Sequence, residues 1–172
     1  MLTLAALYLV LIAAPQACPA SFAVTAHALG PLTLGEPVSA LKARFNMSEG
    51  PFASGGIAGA VYTVAICSDA AIDAITEGKH ASVRQLRTAS PIFLTAKGAH
   101  VGMSLADLKR LYPAGKLNVF IHDGAVANFD TGTGVIFDFD GSMVPHGCYD
   151  TDGDCKADPQ TFKSIDVYIR AR

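Results

Sequence analysis

Apolar positions along this chain recur at two periods, and the switch between them marks its elements. In Lys97–Pro113 (KGAHVGMSLADLKRLYP), Leu105, Leu108 and Tyr112 fall at spacings of three and four, joined by Leu111. That spacing predicts one helical face. Ser104 stands at the N-cap with Asp107 three residues on, a capping box that also sets a negative charge at the positive helix end. Pro113 stops the helix. A fainter copy lies upstream, where Gly35-Glu-Pro37-Val38-Ser-Ala-Leu41-Lys42-Ala-Arg-Phe45 aligns with Gly102-Met-Ser104-Leu105-Ala-Asp-Leu108-Lys109-Arg-Leu-Tyr112. A Gly, an apolar residue, a Leu followed by Lys, and an aromatic recur at matching places. Pro37 suits a first helical position, where its missing N–H is no loss.

Elsewhere the period is two. Ala60–Cys67 alternates Tyr62, Val64 and Ile66, Ala71–Thr76 is a weaker run, and Ser82–Thr88 carries Arg84 and Arg87 at polar positions. Each reads as a strand, with Glu77-Gly78-Lys79 as a turn. Ser48–Gly59, rich in glycine, reads as a flexible loop, and Ser90–Leu94 as an extended linker because Pro91 pushes its predecessor out of the helical region. Leu117–His122, Val126–Asp130 and Val135–Phe139 follow, with Asp123-Gly124 as a hairpin signal and Thr131–Gly134 as a second turn. Ser164–Arg170 closes the series, with Ile165, Val167 and Ile169 predicted inward and Asp166, Tyr168 and Arg170 outward. These elements predict an α+β fold of two tandem units, residues 24–96 and 97–172. Each unit is a short helix followed by an antiparallel meander, and together they form one compact domain. Gly141–Phe162 is a polar insertion in the second unit, long enough to point to a functional loop.

Charge alters this picture at the amino end. No Asp, Glu, Lys or Arg precedes Glu36, and Met1–Ala14 (MLTLAALYLVLIAA) is continuously apolar. That run is shorter than the ~20 residues a bilayer span needs and leads into small residues and prolines, as a secretory signal does. Residues 1–23 are therefore expected to be a signal peptide. The mature chain would be periplasmic or secreted, without a transmembrane span. The net charge of −2, with no basic run, excludes a nucleic-acid partner.

Export would make cysteine pairing permissible. Cys148 and Cys155 flank a short polar loop and are the expected bridge. Cys67, in the apolar run VYTVAIC, is expected to be a buried thiol, and Cys18 to leave with the signal.

Candidate chemistry is sparse. Asp150, Asp152, Asp154 and Asp158 cluster around Gly153. Convergent carboxylates at a tight turn suit a hard cation, so Ca²⁺ is the one candidate cofactor. An EF-hand requires a Glu where Thr161 stands, and its glycine follows the third acidic residue instead of preceding it. The histidines His27, His80, His100, His122 and His146 are scattered and form no zinc pattern. No nucleophile elbow or zinc-protease motif is present. Asp138 and Asp140, two apart in FDFDG, would share a strand face and could do acid–base work, which makes a small hydrolase one alternative.

The paired Gly-x-x-apolar-x-x-Leu-Lys helix entries, Gly35–Phe45 and Gly102–Tyr112, with FDFDG ahead of a terminal strand, resemble two exported families. One is the beta-lactamase inhibitor protein type and the other the SmpA/OmlA outer-membrane lipoprotein type. This chain departs from the second by lacking a lipobox and from the first by its Cys148–Cys155 loop. The resemblance implies a non-catalytic module that binds a protein or envelope component through an exposed sheet face. Arg84, Arg87, Tyr168 and Arg170 are the candidate binding residues, since Arg and Tyr are enriched at interfaces. A calcium-stabilised structural module is the other alternative.

Overall fold

The computed structural model describes residues 17–54, 56–79, 81–121, 125–143 and 162–171. Strand dominates. A four-stranded sheet holds β1 (Phe22–Val24), β2 (Ala28–Leu29), β3 (Leu32–Thr33) and β8 (Phe93–Thr95), in the order β3-β2-β1-β8. An eight-stranded sheet holds β4 (Met47–Ser54), β5 (Ile57–Cys67), β6 (Ala70–Glu77), β7 (Gln85–Thr88), β9 (Lys116–Ile121), β10 (Ala125–Asp130), β11 (Val135–Phe139) and β12 (Ser164–Arg170). Its order is β4-β5-β6-β7-β12-β11-β10-β9, antiparallel throughout. Among the described strands only β1 and β8 pair in parallel, with Phe22 opposite Phe93.

This corrects the expected α+β class. The two helices, α1 (Val38–Arg44) and α2 (Leu105–Leu111), are seven residues each, while strands run through most of the described chain. The meanders do not close as separate units either. β7 and β12 pair in the middle, with Leu86 opposite Ile169, and the eight strands make one sheet. Isolated helices this short are unstable in water, so α1 and α2 persist by burying Val38, Leu41, Leu105 and Leu108 in the core.

One face of the large sheet supplies that core. Cross-strand register lines up Tyr62, Ala74, Leu86, Ile169 and Val135, and beside them Thr88, Val167, Phe137 and Phe129. All are buried, with the helix residues and Leu29, Leu32 and Phe93 of the small sheet in the same core. Period-two alternation then sends their neighbours to the opposite face.

The helix entries are held by one repeated set of backbone bonds. Gly35 N–H donates to Val83 O, Val83 N–H to Glu36 O, and Val38 N–H to Ala81 O. At α2, Gly102 donates to Ser164 O, Ser164 to Met103 O, and Leu105 to Phe162 O. Both glycines sit at positive φ, 82° and 92°, which an L side chain resists. Ser104 caps α2 by accepting the Asp107 N–H at 3.1 Å. Pro37 lies at the N-cap of α1, one position ahead of its expected place.

Three further expectations are corrected. The glycine-rich segment after α1 is the β4–β5 hairpin, not a loop. Its Gly59 is needed because a Cβ there would overlap Thr76 O of β6. Ile165 is half exposed. The register steps from Asp138–Asp166 to Phe139–Ser164, so Ile165 is the extra residue of a bulge in β12 and leaves the inward set. Cys67 is not a free thiol; it is bonded to Cys18. The two join the segment ahead of β1 to the end of β5, so Cys18 belongs to the folded chain. Cys148 and Cys155 lie outside the described residues.

Candidate functional site

The face of the large sheet turned away from the core carries two cross-strand rows of polar side chains. One runs Thr63 (β5), Asp73 (β6), Arg87 (β7) and Tyr168 (β12), with each residue opposite the next. The second runs Asn118 (β9), Asn128 (β10), Asp138 (β11) and Asp166 (β12). Thr63 Oγ1 donates to Asp73 Oδ1 at 2.7 Å, and Arg87 donates to Asp73 Oδ2 at 3.2 Å. Asn118 Nδ2 donates to Asn128 Oδ1 at 3.0 Å.

The second row ends at Asp138 and Asp166, which face each other across β11 and β12, two residues along β12 from Tyr168 of the first row. Both are partly buried, and the Oδ1 of each is sealed from solvent without a hydrogen-bond partner among the described residues. Desolvation is the main cause of a raised Asp138 pKa, pushed up to about 7. The Asp166 charge adds to it, and the Arg87 guanidinium opposes it. Asp166 is also raised, again chiefly by burial. Partial burial, with both carboxyl charges nearby, holds the Tyr168 hydroxyl well above the ordinary phenol range.

A cleft of about 510 Å³ opens at this edge of the face, lined by Asp69, Asp73, Arg87, Thr88, Ser90 and Asp166. A second cleft, of about 540 Å³, lies between the small sheet and the β10–β11 turn, with His27, Thr133 and Arg170 on its wall.

Of the binding residues chosen from sequence, Arg87, Tyr168 and Arg170 share the polar face. Arg170 pairs with Glu77 at 2.9 Å. Arg84 precedes β7, its carbonyl accepting from Ala171 N–H and its own N–H donating to Ile75 O. Three residues from Arg87, it is out of phase with the row. Of the acid–base candidates, Asp138 is partly buried opposite Asp166. Asp140 is exposed; the Ser142 side chain, and after it the Ser142 N–H at 2.9 Å, lowers its pKa. The calcium candidates Asp150, Asp152, Asp154 and Asp158 lie outside the described residues. Among the described residues no cluster of three or more His, Cys, Asp or Glu is placed to hold a metal ion. No described helix is long and apolar enough to cross a membrane.

Sequence reasoning missed Asp166 as Asp138's partner. Outward alternation on β11 and β12 was visible. The register that sets 138 opposite 166 was not, because a long insertion separates the strands and a bulge shifts them.

No family model and no curated protein matches the chain. Among solved structures, it is similar to the crystal structure of the uncharacterized protein YfeY from Escherichia coli. The match has 13% sequence identity and a TM-score of 0.61, covering 88% of this chain and 99% of that one. At such identity the likeness is one of fold.

Proposed function

We propose that this chain is an exported, non-catalytic binding module whose polar sheet face takes another protein or a cell-envelope component. The observation that carries this reading is the continuous row Thr63–Asp73–Arg87–Tyr168, laid across four strands on the face the core leaves free. Arg87 and Tyr168 combine apolar bodies with polar tips, the chemistry enriched at protein interfaces. A row fixed by sheet register and cross-strand bonds is ordered before a partner arrives, which lowers the entropy cost of binding. The cleft beside it gives a partner side chain somewhere to insert. The Cys18–Cys67 bond supports the compartment, since such bonds persist outside the reducing cytosol. A periplasmic or secreted location is therefore part of the proposal. Resemblance to the inhibitor and assembly-lipoprotein types, which are not enzymes, points the same way.

The test is site-specific crosslinking in an exporting cell. A photoreactive residue at Tyr168 is expected to capture one discrete envelope or secreted protein. The same residue at Lys109, exposed on α2, should capture none. Equal adducts from both positions, or none from Tyr168, would overturn the reading.

A further inference from the structure

The geometry points to a single proton shared between Asp138 and Asp166, forming a pH-operated clamp across β11 and β12. The clamp is independent of whether the face binds a partner.

An ionised carboxylate has only acceptors. Asp138 and Asp166 are opposed in register, yet each keeps one solvent-sealed Oδ1 without a donor among the described residues. Two acceptors left in this state are costly, and two negative charges side by side add repulsion. One proton removes both penalties. The Asp138 carboxyl O–H donates to the Asp166 carboxylate, leaving one negative charge on the pair. Arg87 on β7 offsets that charge, although it is already engaged by Asp73 on β6. The other groups facing the pair do not supply the missing donor. Tyr168 on β12 stays a neutral phenol, yet its O–H reaches neither sealed Oδ1. Asn128 on β10, opposite Asp138, accepts from Asn118 on β9 through its oxygen, and its own amide N–H does not reach the sealed Asp138 Oδ1. Asp130 on β10 bonds the Gly132 N–H at 2.8 Å.

Position gives the proton its leverage. Asp138–Asp166 is the last regular pair before the β12 bulge, and only Phe139–Ser164 lies beyond it. Ser164 in turn holds the α2 entry, accepting Gly102 N–H on both its carbonyl and its hydroxyl. Loss of the proton to water would load repulsion onto the place where the ladder is already interrupted.

The sign follows from the raised Asp138 pKa of about 7. The folded state holds this proton more tightly than the unfolded chain does. The contribution is complete below the ordinary carboxylate range and lost as pH rises through about 7. The melting temperature of the full chain is expected to fall steadily from about pH 5 to about pH 8. Asp138→Asn places a permanent N–H donor against Asp166 and should flatten that profile. If this variant fails to fold, Asp166→Asn provides the same test from the other strand. Carbon-13 NMR of the Asp138 carboxyl reads the proton directly and should show its step near neutrality. Amide exchange at Phe139 and Ser164 should quicken above that step, beyond the intrinsic rate, in wild type only. A carboxyl step below about pH 5, in the ordinary range, or a variant whose slope matches wild type, would overturn the clamp.

Discussion

The hydroxyl of Tyr112, at the end of α2, donates to Thr95 Oγ1 in β8 at 2.8 Å, and both residues are buried. The same oxygen accepts the Ala99 N–H at 3.0 Å, so one threonine ties α2, the small sheet and the loop between them. Tyr112→Phe keeps the ring and removes the donor. It should cost about 0.5–1.5 kcal/mol in urea unfolding, the usual net worth of a buried hydrogen bond. Thr95→Val removes the acceptor from two donors at once and should cost more. Equal losses for the two variants would mean that the Ala99 bond contributes nothing.

The Cys18–Cys67 bond spans 49 positions. Constraining an unfolded loop of that size is worth about 4 kcal/mol on the chain-entropy account. Reduction, or Cys18→Ser, should therefore lower stability by an amount approaching that figure, read by denaturant unfolding with and without reductant. The bond also bears on processing. A cut after Ala23 would discard Cys18 and most of β1, so under the proposed export the processed chain is expected to keep Cys18. Mass spectrometry of its amino end would show this.

Gly102 carries φ 92° with open space where a side chain would project. Gly102→Ala is therefore strained by backbone conformation alone, by roughly 1 kcal/mol or more. Gly50 in β4 has no positive φ, and a Cβ there would make ordinary contact with Val61 at 3.6 Å. Gly50→Ala should be neutral or slightly stabilising. A pair of unfolding curves separates the two.

Ser104 lowers the pKa of Asp107 by hydrogen bonding, with Arg110 adding a second bond. A depressed carboxylate stabilises the fold above its unfolded pKa and loses that contribution as pH falls through the lower folded value. Ser104→Ala should return the Asp107 NMR titration towards the ordinary carboxylate range. The lost cap itself should cost about 1 kcal/mol.

The acidic segment Asp150–Asp158 makes its own prediction. If its carboxylates hold Ca²⁺, millimolar calcium raises the melting temperature and Asp152→Asn abolishes the rise. Identical melting in calcium and in chelator ends the calcium reading.

Local signals were legible where they had a local cause. The Ser104 cap, the Leu105–Leu108 stripe and the Val135–Phe137–Phe139 alternation are each set by residues within a few positions of one another. Segments of two or three residues, such as Ala28–Leu29 and Leu32–Thr33, carry too little periodicity to announce a strand, so the small sheet went unseen. Glycine in Ser48–Gly59 signals a loop statistically, yet Gly59 is there to let β6 approach. Ile165 looked inward because alternation assumes an unbroken ladder. The Cys18–Cys67 bond and the Asp138–Asp166 pairing depend on which distant strands become neighbours, and no window of sequence contains that.

The placement of Ser164–Arg170 between β7 and β11 governs how the molecule can be made. Until the chain has been delivered past that segment, Leu86 and Phe137 have no strand to bridge them and each meander presents a raw edge. Joining of the two meanders must then wait for Ser164–Arg170. Two open half-sheets therefore persist until that closing ribbon seats itself between them.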